Sequence, residues 1–231
     1  GRSIGLEAGG YMIVVAILLF TINIILSALK TERKTIENTF IITSILWLLL
    51  AVIIGIIMVL NFAFQFISVS HLQLLKMHAH IGFIGWFLLL VVGVASKLMP
   101  MFLIVHGLPR KLLNYAFFLI NIGLLMLSVG YYIFPEIWLL ALSGLLVIAG
   151  IIAFLRFNYV AFSKRIRKKL DVGLKMSATA FIMLGISVIL GVIAVISPDF
   201  TATFQIKIEI TYGVLIVLGF MAALYISQTQ A

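Results

Sequence analysis

The chain has 231 residues, of which 64% are hydrophobic and only 10% are charged, and its formal net charge is +9. A soluble domain could not keep that much apolar surface out of water, so the composition indicates a membrane protein. The basic residues fall in short segments between apolar runs, a pattern that indicates membrane topology and contact with anionic lipid and not a nucleic-acid partner. The absence of cysteine excludes disulfides, thiolate metal sites and iron–sulfur clusters.

Apolar runs of about 20 residues predict seven membrane helices. They cover approximately residues 10–29, 40–67, 71–99, 112–132, 137–157, 177–196 and 208–226. The third helix is expected to end by Met99, because Pro100 disfavours the helical conformation in the residue before it. The expected fold is an all-α, polytopic transmembrane helix bundle, a single integral-membrane domain over residues 1–231 that is either complete or the ordered part of a longer chain.

Basic residues are distributed unevenly between the two predicted sides of the membrane. The segments after the first, third and fifth helices contain Lys30, Arg33, Lys34, Arg110, Lys111, Arg156, Lys164, Arg165, Arg167, Lys168, Lys169 and Lys175, whereas the other side has Arg2, Lys76 and Lys207. Because cytoplasmic loops carry an excess of Lys and Arg, the sequence predicts an outside amino terminus and a cytoplasmic carboxyl terminus. The predicted location is the cell membrane (plasma or inner), with multiple spans.

Three of the four histidines lie within ten residues, at the start of the third helix: His71, His78 and His80. An ionisable residue inside a membrane is costly and indicates a functional site. At about 100° per residue, His71 and His78 share one helix face, whereas His80 points to the opposite flank. Two such rings cannot readily chelate one ion, but they suit two centres. Gly82 and Gly85 continue the His78 face and predict a groove for a flat macrocycle or for the backbone of a second helix. Imidazole is a usual axial ligand of heme iron.

Other polar residues near this segment have open interpretations. His71 is expected at the water boundary, where a hydrogen bond to another helix or snorkelling explains it, and His106 is expected in an interfacial loop. Lys76 is a candidate partner for a heme propionate or a snorkelling lysine. Asn61 and Gln65 are predicted to share a face of the second helix, where they would bond a ligand histidine, line a quinone pocket or bond a neighbouring helix.

The run His78-Ala-His80-Ile-Gly-Phe-Ile-Gly85-Trp86, with Gly93 and Lys97-Leu-Met-Pro100 after it, resembles the tenth helix of heme-copper oxidase subunit I. The closest similarity is to the C-type oxidases and nitric oxide reductases, and the His-Ala-His pattern also resembles NnrS-type heme membrane proteins. The resemblance implies that His78 is the ligand on the high-spin heme side and His80 the ligand on the low-spin side. It covers about 30 residues of the 231.

The departures from that family limit what the resemblance implies. The family's copper site needs three further histidines, one of them in a His-Pro-Glu-Val motif. The only similar segment of this sequence is Phe134-Pro-Glu-Ile137, which has Phe in place of His and follows the His-x-His helix. We interpret this segment as a turn. Copper is therefore not expected, and neither is oxygen or nitric oxide reduction by this chain alone. The second low-spin ligand would come from a missing amino-terminal portion, from a partner subunit or from a methionine such as Met77.

The sequence thus favours a heme b-binding membrane subunit, with one or two hemes, that mediates electron transfer in a respiratory-type complex. If it belongs to an enzyme, it is an oxidoreductase subunit. Expected partners are membrane lipid, other subunits or a cytochrome-type electron partner, and a quinone. The alternatives are a cofactor-free transporter and a structural or assembly subunit. The predicted spans lack buried carboxylates, which argues against a transporter. A retinal protein is excluded, because the last predicted helix has no lysine.

Overall fold

The computed structural model describes residues 2–30, 34–132, 136–166, 169–196, 207–208, 210–211 and 213–222. Every element in these ranges is helical, which confirms the all-α class. The helices are α1 (Arg2–Leu29), α2 (Ile36–Phe64), α3 (His71–Leu103), α4 (Lys111–Tyr132), α5 (Ile137–Ser163) and α6 (Val172–Ile196), followed by a π-helical segment at Leu215–Ala222. Helix α3 is continuous but has three stretches: α-helical His71–His80, π-helical Ile81–Leu88 and α-helical Leu89–Leu103.

Among the described residues, six helices are long and apolar enough to cross a membrane, with mean hydropathy between 2.0 and 2.9 and spans of 20 to 33 residues. This supports a multi-pass membrane protein. The predicted seventh span, residues 208–226, extends beyond Ala222 and so lies partly outside the described residues. The predicted turn at Phe134 and Pro135 lies outside them as well. The count of seven spans, the orientation and the type of membrane stay predictions.

Helix α2 ends earlier than its apolar run predicts. The side chain of Thr35 accepts a hydrogen bond from the amide of Asn38 at the start of the helix. At the other end, Gln65 adopts a left-handed conformation with φ 47°, and the Asn61 side chain accepts a hydrogen bond of 2.8 Å from the amide of Ile67. The prediction that Asn61 and Gln65 share a helix face is therefore wrong. Gln65 terminates the helix, and the Asn61 side chain bonds to the backbone that follows the helix.

Helix α3 continues through Pro100, so the prediction that it ends by Met99 is also wrong. A proline removes one hydrogen bond from a helix, and packed neighbouring segments can tolerate that loss in a membrane protein. The helix instead terminates at Leu103, where the amide of Val105 donates to the carbonyl oxygen of Pro100 at 2.9 Å. The intervening Ile104 has φ 55°, a left-handed conformation that is strained for a β-branched residue.

Helices α5 and α6 extend beyond their predicted bounds. Helix α5 reaches Ser163 instead of Phe157, and α6 begins at Val172 instead of Ser177. The early start of α6 has a local cause, since the carboxylate of Asp171 accepts a hydrogen bond of 2.9 Å from the amide of Leu174. Asp171 therefore caps the helix.

The chain divides into two compact units, residues 1–95 with 124–140 and residues 96–123 with 141–231, and each is considered by itself. The prediction of a single domain stays a prediction. In the first unit, α2 packs antiparallel against α3, because successive α2 residues contact progressively earlier α3 residues. A Cβ atom on Gly93 would lie 2.9 Å from Cβ of Phe40, and one on Gly85 would lie 2.8 Å from Cγ of Trp47. Glycines of α3 thus make room for large side chains of α2.

The second unit contains a comparable glycine-mediated contact between α4 and α5. A Cβ atom on Gly123 would lie 2.8 Å from the carbonyl oxygen of Ser143, and one on Gly150 would lie 2.6 Å from a side-chain carbon of Ile120. The two backbones therefore approach each other closely. Next to them, the Phe181 ring on α6 packs edge-on against Phe154 of α5, with centroids 5.6 Å apart.

Candidate functional site

The histidine-bearing end of α3 is fixed by a capping box. The amide of Gln73 donates to the Ser70 hydroxyl at 3.2 Å, and the amide of Ser70 donates to the Gln73 side-chain oxygen at 3.3 Å. The helix therefore begins at His71, as predicted. Because His71–His80 is regular α-helix, the predicted opposition of His78 and His80 about the helix axis holds.

The His78 imidazole is half-buried and held against α2. Its Nδ1 lies 3.0 Å from the carbonyl oxygen of Ala51, and its Cε1 lies 3.3 Å from where a Cβ atom on Gly55 would be. A carbonyl oxygen only accepts hydrogen bonds, so Nδ1 carries the proton in this contact. The neutral ring then presents its lone pair on Nε2, the arrangement common in metal-ligating histidines.

The His80 imidazole is oriented through the same ring nitrogen, but the acceptor belongs to its own helix and not to α2. Its Nδ1 lies 2.7 Å from the carbonyl oxygen of Lys76, one turn earlier in the same helix. Nδ1 is again the donor, which assigns the lone pair of the neutral ring to Nε2. His80 and Lys76 are both half-buried. The two imidazoles are thus oriented independently, one by α2 and the other by its own helix.

Of the two glycines predicted to form a groove, Gly82 and Gly85, only Gly82 has open space beside it. No atom lies within 4 Å of where a Cβ atom on Gly82 would be, apart from the helix's own nearby backbone, so space is open there. The space beside Gly85 is instead occupied by the Trp47 side chain. Gly82 lies four residues after His78, which places the open space about one turn from the imidazole.

The π-helical stretch begins directly after His80. At its end, the amide of Leu89 bonds to the carbonyl oxygen of Ile84, five residues earlier. Because π turns are wider than α turns, residues beyond this stretch no longer follow the spacing of 100° per residue from which the His78 face was predicted. Such bulges occur frequently at functional sites.

The other two histidines, His71 and His106, have surroundings of their own. The His71 ring is half-buried and lies 4.2 Å, centroid to centroid, from the Phe62 ring at an angle of 47°. His106 is exposed in the segment that follows α3. Met77, the methionine named above as an alternative ligand, is buried with 8% of its surface exposed.

No group of three or more His, Asp or Glu side chains within the described ranges is arranged to hold a metal ion, although all four histidines fall in those ranges. A metal bound at Nε2 of His78 would therefore take its remaining ligands from elsewhere. The four nitrogen atoms of a porphyrin would satisfy that requirement.

Three features of this region were missed from the sequence. Ala51 and Gly55 hold His78, and a pair of small residues four apart is a signal of close helix packing that would have indicated them. Glu37 in the first turn of α2 is only 4% exposed, and it was missed because the predicted second span, residues 40–67, begins after it. Its position at a helix amino terminus, where negative charge is favoured, was the available signal.

No family model, curated protein or solved structure matches this chain. The resemblance to heme-copper oxidase subunit I therefore rests on the residues between His78 and Pro100 alone, and it stays a prediction.

Proposed function

We propose that the chain is a heme b-binding integral-membrane subunit that mediates electron transfer, with Nε2 of His78 as an axial ligand. The observation that carries the proposal is the hydrogen bond from His78 Nδ1 to the carbonyl oxygen of Ala51. Such a bond fixes the tautomer and orients the ring. An ionisable residue that is half-buried in a membrane helix also indicates a functional site.

The surroundings of His78 suit an apolar macrocycle. Leu74, Met77 and Ile81 on the same helix are buried, and the space at Gly82 is open. When bound, heme iron would exchange single electrons between its ferrous and ferric states. The role of the chain is to position the imidazole and to exclude water from it. We further propose that His80 is the ligand on the other flank, which gives one or two hemes, and that Lys76 pairs with a propionate.

The electron-transfer proposal does not extend to oxygen or nitric oxide reduction by this chain. The sequence lacks the additional histidines of the family's copper site, so neither copper nor that chemistry is proposed. A partner subunit or a cytochrome-type protein would supply further ligands and electrons in a respiratory-type complex, with quinone as a candidate electron carrier. The chain would then be an oxidoreductase subunit in the cell membrane.

Glu37 supports a second candidate, a cofactor-free transporter, because a buried carboxylate in a membrane span is a functional-site indicator. Two observations weigh against it. Glu37 lies in the first turn of α2 and not at mid-membrane, and α2 runs without interruption from Ile36 to Phe64, whereas transporter sites typically use broken helices. The electron-transfer proposal therefore ranks first.

The test is a reduced-minus-oxidised absorbance spectrum of the purified protein together with its heme-to-chain ratio. We expect b-type bands in the wild type, their loss or weakening in His78→Ala, and a change in His80→Ala if it holds a second heme. His106→Ala is the matched control, because it removes an exposed histidine from the loop after α3. A wild-type protein without heme bands, or an equal loss in His78→Ala and His106→Ala, would contradict the proposal.

A further inference from the structure

The second unit carries a basic surface where α3 and α5 end and α4 and α6 begin. The exposed basic residues are Arg110, Lys111, Lys164, Arg165, Lys169 and Lys175. We propose that these residues, called here the basic loop surface, bind the headgroups of anionic phospholipids. The proposal does not depend on heme binding.

A backbone hydrogen bond joins the two segments that form this surface. The amide of Ile166, in the α5–α6 segment, donates to the carbonyl oxygen of Leu103 at the end of α3, at 3.3 Å. The basic residues after α5 are therefore held next to the segment that leads into α4. Arg165 is restrained further, since its guanidinium donates to the carbonyl oxygen of Phe162 at 2.7 Å. These contacts give the surface a defined arrangement.

Helix stability does not account for all of these charges. Lys111 begins α4 and Lys175 lies in the first turn of α6, and positive charge at a helix amino terminus is unfavourable. The acidic residue of the α5–α6 segment, Asp171, uses a carboxylate oxygen to cap α6. The surface therefore has a large excess of positive charge, which favours an anionic ligand.

Large apolar side chains are interspersed with the basic ones. Met101, Ile104 and Ile166 are 59%, 50% and 65% exposed. Ile104 is exposed from a left-handed conformation with φ 55°, which disfavours isoleucine and would favour glycine. Exposed isoleucines are unfavourable in water but insert readily at the boundary between headgroups and acyl chains.

The combination of charge and apolar surface favours a membrane lipid over a soluble anion. The four helix ends that flank the surface belong to helices long and apolar enough to cross a membrane, which places the surface near headgroup level. Basic clusters at that level attract anionic lipid by about 1 kcal/mol per residue. Neither free phosphate nor nucleic acid would use the exposed isoleucines.

The experiment measures which lipids the full chain retains. Protein reconstituted into vesicles of equal parts phosphatidylglycerol and phosphatidylcholine is extracted in mild detergent, and its bound lipids are quantified by mass spectrometry. We expect enrichment of phosphatidylglycerol over the bulk ratio in the wild type. The variant Lys164→Gln/Lys169→Gln should reduce the enrichment about fivefold per charge, which corresponds to about 1 kcal/mol each. The charge-preserving Lys164→Arg/Lys169→Arg should retain it.

Folding is monitored separately by thermal unfolding in phosphatidylcholine-containing micelles, where both variants should match the wild type. Equal retention of the two lipids by the wild type would overturn the proposal, as would unchanged enrichment in the Gln variant. Loss of enrichment on addition of inorganic phosphate would instead indicate a general phosphate site. Displacement of the bound lipid by an RNA oligonucleotide would indicate a nucleic-acid surface. Either of these last two outcomes would also overturn the lipid assignment.

Discussion

The Nδ1 atom of His78 on α3 lies 3.0 Å from the carbonyl oxygen of Ala51 on α2. That carbonyl belongs to the interior of a continuous helix, so the imidazole is oriented by a rigid element. The ring also lies directly against Gly55, one turn after Ala51. The position of His78 Nε2 is thus determined by the packing of α2 on α3, and changes in that packing should alter any ligand it binds.

Gly55→Ala tests this dependence. The added methyl group would lie 3.3 Å from Cε1 of His78, closer than ordinary van der Waals contact, so the ring must shift. We expect less heme per chain, or altered b-type bands, with little net change in stability, because the helix propensity of alanine, about 1 kcal/mol better than that of glycine, offsets the cost of crowding. Heme content and thermal unfolding of the purified protein measure the two effects. Gly9→Ala is the control, since a methyl group there meets nothing within 4 Å. Unchanged heme content and spectrum in Gly55→Ala would argue against heme at His78.

Gly82 provides a test of the proposed heme space. Gly82→Leu adds a large side chain at a position where no atom lies within 4 Å of the new Cβ, apart from the helix's own nearby backbone. We therefore expect the cofactor-free protein to unfold at the same temperature or higher, because leucine favours helix over glycine by about 1 kcal/mol. Heme content should fall several-fold. Gly82→Ala serves as the smaller matched change, with an intermediate effect on heme. If Gly82→Leu binds as much heme as the wild type, the space at Gly82 is not the heme site.

The parts of this site that could be predicted are those that have a signal in the local sequence. The start of α3 was predictable from Ser70 and Gln73, and the opposed flanks of His78 and His80 followed because that stretch is regular α-helix. The π-helical stretch after it was not predictable. Its residues Ile81–Leu88 are apolar apart from two glycines, and nothing in them indicates that Trp47 of a different helix fills the space at Gly85.

The errors in helix bounds have a similar origin. Pro100 predicted a helix end from a local rule, yet α3 continues to Leu103 because the loss of one hydrogen bond was tolerated. The burial of Glu37 was missed because it depends on packing against α3, where a Cβ atom on Gly93 would lie 3.0 Å from the Glu37 carbonyl oxygen. Apolar length located the helices, but it could not locate the contacts between them.

The contact between Trp47 and Gly85 predicts a compensating pair of substitutions. In Gly85→Ala, the new methyl group would lie 2.8 Å from Cγ of Trp47, so α2 and α3 must separate or the indole must move. We expect a destabilisation of about 1–3 kcal/mol, seen as a lower thermal unfolding temperature. Adding Trp47→Leu should recover part of that loss, giving a positive coupling in a double-mutant cycle. Strictly additive effects would show that the two residues do not determine each other's packing.

Ser96 on α3 is 2% exposed, and its hydroxyl oxygen has no hydrogen-bond partner among the described residues. A buried hydroxyl without a partner is unfavourable, so Ser96→Ala should leave stability unchanged or raise it by about 1 kcal/mol. Ser177 is the matched control, because it is 1% exposed and its hydroxyl donates to the carbonyl oxygen of Gly173 at 3.1 Å. Ser177→Ala loses that bond and should destabilise the protein by about 1 kcal/mol. Thermal unfolding in detergent compares the two variants directly. A larger loss in Ser96→Ala than in Ser177→Ala would mean that the Ser96 hydroxyl has a partner outside these residues, such as a bound molecule or a second chain.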